Sequence, residues 1–316
     1  MRLWGEGGYG FPGRREVRVS VLIPSYRRSA DLVRCLAALA LQSRAADEVL
    51  VVVRGEDAET VSVTRDWQDR LPLHVVEVAA PGQVQALNAG LARCSGDVVA
   101  ITDDDAAPHS EWLAKIVVHF EADPKVGGVG GRDWVHENGG VLSGEARRVG
   151  CFSWFGRVVG NHHLGVGAPR EVDFLKGANL SFRMAAIGPV GFDVRLRGSG
   201  AQVHNDMAAS LAVKCAGWKI IYDPSVAVDH FPAPRFDEDE RNKFDVSAAA
   251  NRNYNFRLAV GDNLPWWRRS AVHLWLRVVG VKADPGLLRV WMMLLKNDRI
   301  GLSRHRSVQN FLAEKS

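Results

Sequence analysis

No stretch of the 316 residues strings together the roughly 18–20 apolar side chains that a membrane-crossing helix needs, so a transmembrane chain is excluded. The first residues, Met1 to Arg15, are rich in glycine and carry no apolar core of the kind a secretory signal has, and residues 1–16 are expected to be a flexible leader. Cysteine is scarce. Cys35, Cys94, Cys151 and Cys215 are scattered without metal-ligand spacing, which excludes a disulfide framework and suits small apolar roles in a reducing cytoplasm. An excess of one charge is also missing: 40 basic and 36 acidic residues leave a net +4, too little to argue for a nucleic-acid partner. No internal repeat is visible. What is present is ordinary for a globular chain with a sizeable core, 47% hydrophobic and 24% charged, at a length for one large α/β domain with an appendage or for two domains.

Residues 5–10 superficially look like a phosphate loop, but no strand precedes them and Phe11-Pro12-Gly13 follows where a helix should start. The folded part begins with a strand over Val17–Ile23 that stops at Pro24-Ser25-Tyr26. A helix from Ser29, a second strand over Glu48–Val53, a helix over Thr60–Arg70, a third strand over Leu73–Val78 and a helix over Gln83–Arg93 then alternate with short links. Strands that are apolar throughout are those buried on both faces of a parallel sheet, and the alternation describes a doubly wound α/β architecture. Further on, the pattern predicts a helix over Ser110–Phe120, a glycine-broken strand over Val126–Val135 and an irregular region over 136–170. A strand is predicted over Phe174–Arg183, where Gly177 would let the backbone approach a ligand. A helix from Asn205-Asp206 to Cys215, two short strands over Lys219–Tyr222 and Val226–His230, and a helical stretch over 237–316 complete the chain.

The sequence is most pointed at Val98–Asp105, where four apolar residues and Thr102 lead into Asp103, Asp104 and Asp105. Ligands of open α/β sheets bind at the carboxyl ends of the strands. Three adjacent carboxylates repel one another, and a divalent cation relieves that repulsion. In an extended segment alternate side chains point the same way, so Asp103 and Asp105 can face one ion while Asp104 turns aside. Oxygen ligands of this hardness select Mn²⁺ or Mg²⁺. The bland alternative is a solvated acidic turn ahead of the helix that starts near Pro108.

Four blocks in order carry a family resemblance: Val21–Arg28; Ala86, Asn88, Gly90 and Gly96-Asp97 leading to the three acids; Gly177-Ala178-Asn179 with Phe182-Arg183; and Gly191-Phe192-Asp193 followed by Asn205-Asp206, Gly217, Pro224 and His230. Together they resemble the inverting glycosyltransferases of family 2, which use nucleotide sugars on a GT-A fold. The resemblance implies a GT-A catalytic domain over 17–235, a Rossmann-like and mostly parallel sheet flanked by helices, and a helical C-terminal extension over 236–316. It places the nucleoside against Pro24, Ser25, Tyr26 and Arg28. The second strand of the family usually ends in an aspartate that reads the base. Here Val53 stands there, followed by Arg54-Gly55-Glu56-Asp57, so Arg54, Glu56 and Asp57 become the base-side candidates and the choice among UDP-, dTDP- and GDP-linked donors stays open. Gln83, Asn88, Asp103, Asp104, Gly177, Ala178 and Asn179 are implied for the donor, and Asp103, Asp105 and His230 for the metal. Asp206 matches the catalytic base, with Asn205 in place of the family's glutamate. A helix cap is the competing role for the Asn-Asp pair. Arg195, Arg197 and His204 are candidates for diphosphate contacts, and a solvated basic loop is the alternative.

Two rival functions remain at this stage. A sugar-nucleotide nucleotidyltransferase normally has a glycine-rich loop with Arg and Lys after the first strand, where this chain has Pro24-Ser25-Tyr26-Arg27-Arg28. A non-catalytic nucleotide-sugar-binding module is opposed by the presence of Asp103, Asp105 and Asp206 together. The acceptor implied is a carbohydrate or lipid-linked hydroxyl. Residues 264–296 hold Trp266, Trp267, Trp275 and Trp291 among Arg268, Arg269 and Arg277, the composition of an interfacial helix on anionic lipid. Either they make peripheral contact with the inner face of the cell membrane, or they pack on the catalytic domain of a cytoplasmic protein.

Overall fold

The computed structural model describes residues 16–236, 244–281 and 284–314; the expected leader, residues 1–15, lies outside them. Four parallel strands form the first half of the sheet. They are β1 (Val19–Pro24), β2 (Glu48–Arg54), β3 (Leu73–Val78) and β4 (Val98–Ile101), joined through helices α1 (Ser29–Ala40), α2 (Ala58–Trp67) and α3 (Gln83–Leu91). Their side-by-side order is β3-β2-β1-β4. The apolar runs have a direct cause. Alternate side chains feed two separate cores, with Leu22, Leu50, Val52, Val99 and Ile101 on one face and Val21, Ile23, Val49, Val51, Val53 and Ala100 on the other.

The second half is mixed. After β5 (Ala106–Pro108) and α4 (Trp112–Ala122) come the long strand β6 (Val126–Glu137), the short β7 (Gly140–Val141), the hairpin β8 (Cys151–Phe152) and β9 (Val158–Val159), and β10 (Arg170–Glu171). Then follow β11 (Leu180–Arg183), α5 (Met184–Ile187), α6 (Asn205–Cys215) and β12 (Lys219–His230). β11 runs antiparallel between β4 and β6, and β12 runs parallel to β6. The architecture is the expected mostly parallel sheet flanked by helices, with a helical C-terminal part: α7 (Val246–Asn263), α8 (Trp266–Val278), α9 (Leu287–Leu295) and α10 (Arg299–Glu314). Ala259, Val260, Leu264, Val272 and Leu276 bury α7 and α8 against the core. None of the cysteines is in a disulfide; Cys35 is buried as expected, whereas Cys215 is exposed.

Three local expectations change. The strand predicted over Phe174–Arg183 starts only at Leu180, because Ala178 takes a left-handed φ of 66° and breaks the extended run. The two short strands at 219–230 are one, β12, with a register shift between Asp223 and Ala227. There β6 supplies Gly131, whose missing Cβ would lie 1.8 Å from the carbonyl oxygen of Val226, so no other residue permits this approach. The cap of α6 is His204 at φ 79°, so Asp206 sits inside the first turn rather than capping it.

Candidate active site

An open cleft with a cavity volume of about 130 Å³ lies at the carboxyl ends of β1, β2 and β4. Pro24, Ser25, Tyr26 and Arg28 form one wall, and Asp103, Asp104, Asp105 and Gln83 form its floor. The first turn is locked to the floor. Asp104 is buried and accepts hydrogen bonds from the Ser25 hydroxyl and the Arg28 guanidinium, both at 2.8 Å. Burial pushes its carboxyl up to about 7, while Arg28 and the two hydrogen bonds pull it back. It fastens the turn after β1 to the floor, and it is not part of the group formed by Asp103, Asp105 and His230.

Asp103 and Asp105 converge with His230 from the end of β12, their ligand atoms all lying within 4.8 Å of one another. The Nε2 of His230 is 3.3 Å from Asp105 Oδ1 and its Nδ1 is 3.7 Å from Asp133 Oδ2, and neither ring nitrogen makes a hydrogen bond among the described residues. Burial opposes a proton on this ring, but the surrounding carboxylates of Asp105, Asp133 and Asp103 outweigh it and push the imidazole up to about 9. Burial would raise Asp105 as well; His230, the Ala233 amide and Arg28 instead hold it down at about 2. Asp103 moves the other way, raised by burial and by Asp105. Two carboxylates converging with an imidazole fit a divalent cation of the Mn²⁺ or Mg²⁺ kind.

Asp206, on the first turn of α6, accepts the Gly177 amide on Oδ2 and the Met207 amide on Oδ1, each at 2.7 Å. Gly177 therefore stands between the two groups of acids. A Cβ there would lie 3.7 Å from Asp206 Oδ2 and 3.9 Å from Asp103 Oδ2, in otherwise open space.

Other predicted residues have structural duties away from the cleft. Asn179 is buried, accepting from Trp112 Nε1 at 2.9 Å and donating to the Val226 carbonyl at 2.8 Å, and the Ala178 carbonyl accepts from the Thr102 hydroxyl. Asn88 exchanges two hydrogen bonds with the backbone of Phe192, tying α3 to the 191–193 loop. Asp57 caps α2 through the amide and hydroxyl of Thr60, and Glu56 is exposed outside the cleft wall. The cleft beside β2 and β3 is lined by Tyr26, Val53, Arg54, Val78 and Ala80, with the Arg54 guanidinium 3.7 Å over the Tyr26 ring. Arg195 pairs with Asp193 and Asp262, Arg197 lies over Tyr254, and His204 meets Phe256 edge to face, where burial lowers it to about 4.

Sequence reasoning missed Arg235 and Phe236, which line the cleft from the segment after His230, and Asp133, buried behind the His230 ring and paired to Lys176. The signals were there. Pro232 and Pro234 keep the chain extended past His230, and Asp133 is an acid inside the strand read as glycine-broken.

Several known proteins are similar to this chain. AglE, a glycosyltransferase of Haloferax volcanii, is 27% identical over 276 residues, 85% of this chain and 83% of its own length. The glucosyl-dolichyl phosphate glucuronosyltransferase of the same organism is 27% identical over 226 residues, 68% of this chain and 69% of its own. Among solved structures, the Pyrobaculum calidifontis mannosyltransferase PcManGT in complex with GDP-Man and Mn²⁺ superposes with a TM-score of 0.58 at 18% identity, covering 93% of this chain and 85% of that one. S. aureus TarS 1-349 with UDP-GlcNAc gives 0.61 at 15% identity, covering 82% of this chain and 72% of that one. The profile of the family described as "Glycosyltransferase like family 2" matches residues 17–245, from β1 through the cleft and its acids to the segment beyond β12, and the chain is an enzyme of that family, a glycosyltransferase.

Proposed function

We propose that this glycosyltransferase moves a sugar from a nucleoside diphosphate to a hydroxyl of a carbohydrate or lipid-linked acceptor in one displacement, with inversion at the anomeric carbon. The observation that carries the proposal is the open space at Gly177, bordered by Asp103 on the donor side and by Asp206 on the other. A reacting sugar there has the acidic floor behind its diphosphate and a carboxylate facing the incoming acceptor.

Asp206 is the base. Two backbone amides hold its oxygens, which fixes its orientation without neutralising it. It takes the proton of the acceptor hydroxyl as that oxygen bonds to the anomeric carbon; the bond from that carbon to the diphosphate breaks, and the nucleoside diphosphate leaves. Asp103, Asp105 and His230 would hold Mn²⁺ or Mg²⁺, which when bound supplies positive charge for the departing diphosphate. Arg28 and Arg235 add fixed cations on the cleft wall, and Tyr26 with Arg54 offers a flat surface to the base. The complexes named above, one with GDP-Man and Mn²⁺ and one with UDP-GlcNAc, support a nucleotide-sugar donor, and the dolichyl phosphate relative supports a lipid-linked acceptor.

The test is a panel of UDP-, dTDP- and GDP-sugars with Mn²⁺ or Mg²⁺, scored for nucleoside diphosphate release, which needs no acceptor. Release that stops with a chelator is the expected result. Undiminished release with chelator would remove the metal, and release of pyrophosphate would point to a nucleotidyltransferase reaction.

A further inference from the structure

The C-terminal helices present a surface that the reaction does not use. In α9 the residues Leu287, Leu288, Trp291, Met292, Leu294 and Leu295 recur at i, i+1, i+4, i+5, i+7 and i+8, one continuous face of the helix. All six are exposed, Trp291 by 58% and Leu295 by 66%, and no residue of α9 is buried. The partly buried side is the opposite one, with Arg289, Val290 and Met293. An apolar helix that turns its apolar face outward is built for a non-aqueous neighbour.

α8 continues the surface. Its inner side, Val272 and Leu276, is in the core, while Trp266, Trp267 and Leu274 are exposed. A bridge between Gly280 and Pro285 draws the end of α8 to the start of α9. The β8–β9 hairpin leans on the same unit: Phe155 packs 5.1 Å from the ring of Trp275, which brings Trp154, exposed by 86%, beside α8. The charge around these apolar groups is one-sided. Residues 264–306 contain nine Lys or Arg against two acids, and Arg277, Lys296 and Arg299 are exposed among or just beyond the apolar residues. One basic residue of this stretch is excluded: Arg268 is committed to an ion pair with Asp173 at 2.6 Å, which pins α8 to the catalytic domain. Among the described residues no helix is long and apolar enough to cross a membrane.

We propose that α8, α9 and the Trp154 hairpin form a monotopic docking surface for a lipid bilayer with anionic headgroups. The aromatic and aliphatic side chains enter the interface and the surrounding cations meet the headgroups. A second copy of this chain would bury the apolar face as well, but Arg277, Lys296 and Arg299 facing their own copies would oppose it. The surface stands apart from the catalytic reading, since none of its residues lines the cleft.

Flotation of the full chain with phosphatidylglycerol/phosphatidylcholine vesicles and with pure phosphatidylcholine vesicles tests this, with light scattering for oligomeric state. Binding to the anionic vesicles at low salt is expected, weakened at least tenfold by Leu288→Ser/Trp291→Ser/Leu295→Ser and again by Arg277→Ser/Lys296→Ser/Arg299→Ser. Donor hydrolysis in solution should be unchanged in both variants, which separates failure of docking from failure of the active site. Absence of flotation at low salt, flotation indifferent to the apolar triple substitution, or a dimer that this substitution splits without any flotation would each overturn the proposal.

Discussion

Gly177→Ala isolates the reacting space from everything else in the site. The new methyl would meet Asp206 Oδ2 at 3.7 Å and Asp103 Oδ2 at 3.9 Å, ordinary contact distances, so nothing has to move to admit it. Gly177 is not among the residues with a left-handed φ, and alanine keeps the amide that Asp206 accepts. Folding should therefore gain the usual Gly→Ala increment of about 0.4–1 kcal/mol from the less flexible unfolded chain. Catalysis should go the other way. The methyl occupies the gap where sugar and acceptor meet, and a displacement of about 1 Å at a reacting centre costs on the order of 10²-fold. That corresponds to about 2.7 kcal/mol of barrier. Urea unfolding, calorimetric titration of nucleoside diphosphate and single-turnover transfer measure the three quantities separately. The expected pattern is a slightly more stable protein with unchanged nucleotide affinity and roughly 10²-fold slower transfer. Transfer at the unmodified rate would refute the placement of the reaction at Gly177, and a destabilised protein would refute the open space itself.

Asp206→Asn should leave donor affinity near its original value and slow transfer by roughly 10²–10⁴-fold. The amide also turns an NH₂ toward either Gly177 or Met207, so a loss of about 1–2 kcal/mol in stability accompanies it; retained turnover would reassign Asp206. Asp133→Asn removes the carboxylate behind His230 and should weaken Mn²⁺ binding by about 10–100-fold in a direct titration, with unchanged affinity as the contrary result. For pH, His230 rises from its ordinary 6.5 to about 9 on folding, so its stabilisation is complete below pH 6.5 and is lost as pH climbs through 9. Chelator-treated protein should lose up to about 3 kcal/mol over that window, and Mn²⁺ affinity should rise with pH because the metal needs the neutral ring. A flat melting profile, or Mn²⁺ affinity falling with pH, would contradict this.

Much of the sheet was legible because burial on both faces leaves a plain mark: Val49–Val53 has no polar residue to misplace. The three acids were legible for a similar reason, since adjacent carboxylates at a strand end are hard to explain without a counter-charge. What escaped depended on distant partners. The loop at Ala178 and Asn179 looks like strand, and only Trp112, 67 residues away, and Val226, 47 residues away, account for its shape. The kink in β12 needs Gly131 from another strand. Asp57 was a base-side candidate through the family pattern alone, and its carboxylate caps α2 at Thr60 and accepts the Arg27 amide. Asn88 matched the family pattern too, and its side chain proves to be a staple between backbone segments.

The segment Phe231–Phe236 crosses the cleft as a strap, and its fastening has a thermodynamic consequence. Phe231 donates its amide to the carbonyl of Asp105, Ala233 donates to Asp105 Oδ2, and Pro234 accepts from the Arg28 side chain. One residue is thus both latch for the strap and a member of the acidic triad with His230. If Asp105 holds a cation as proposed, whatever shifts the strap would change that affinity, and by reciprocity the cation would tighten the strap. Arg235 and Phe236 ride on that strap and line the cleft, so under the proposed function a cation at the acidic floor and a nucleotide in the cleft would each favour the same strap position and raise the affinity for the other.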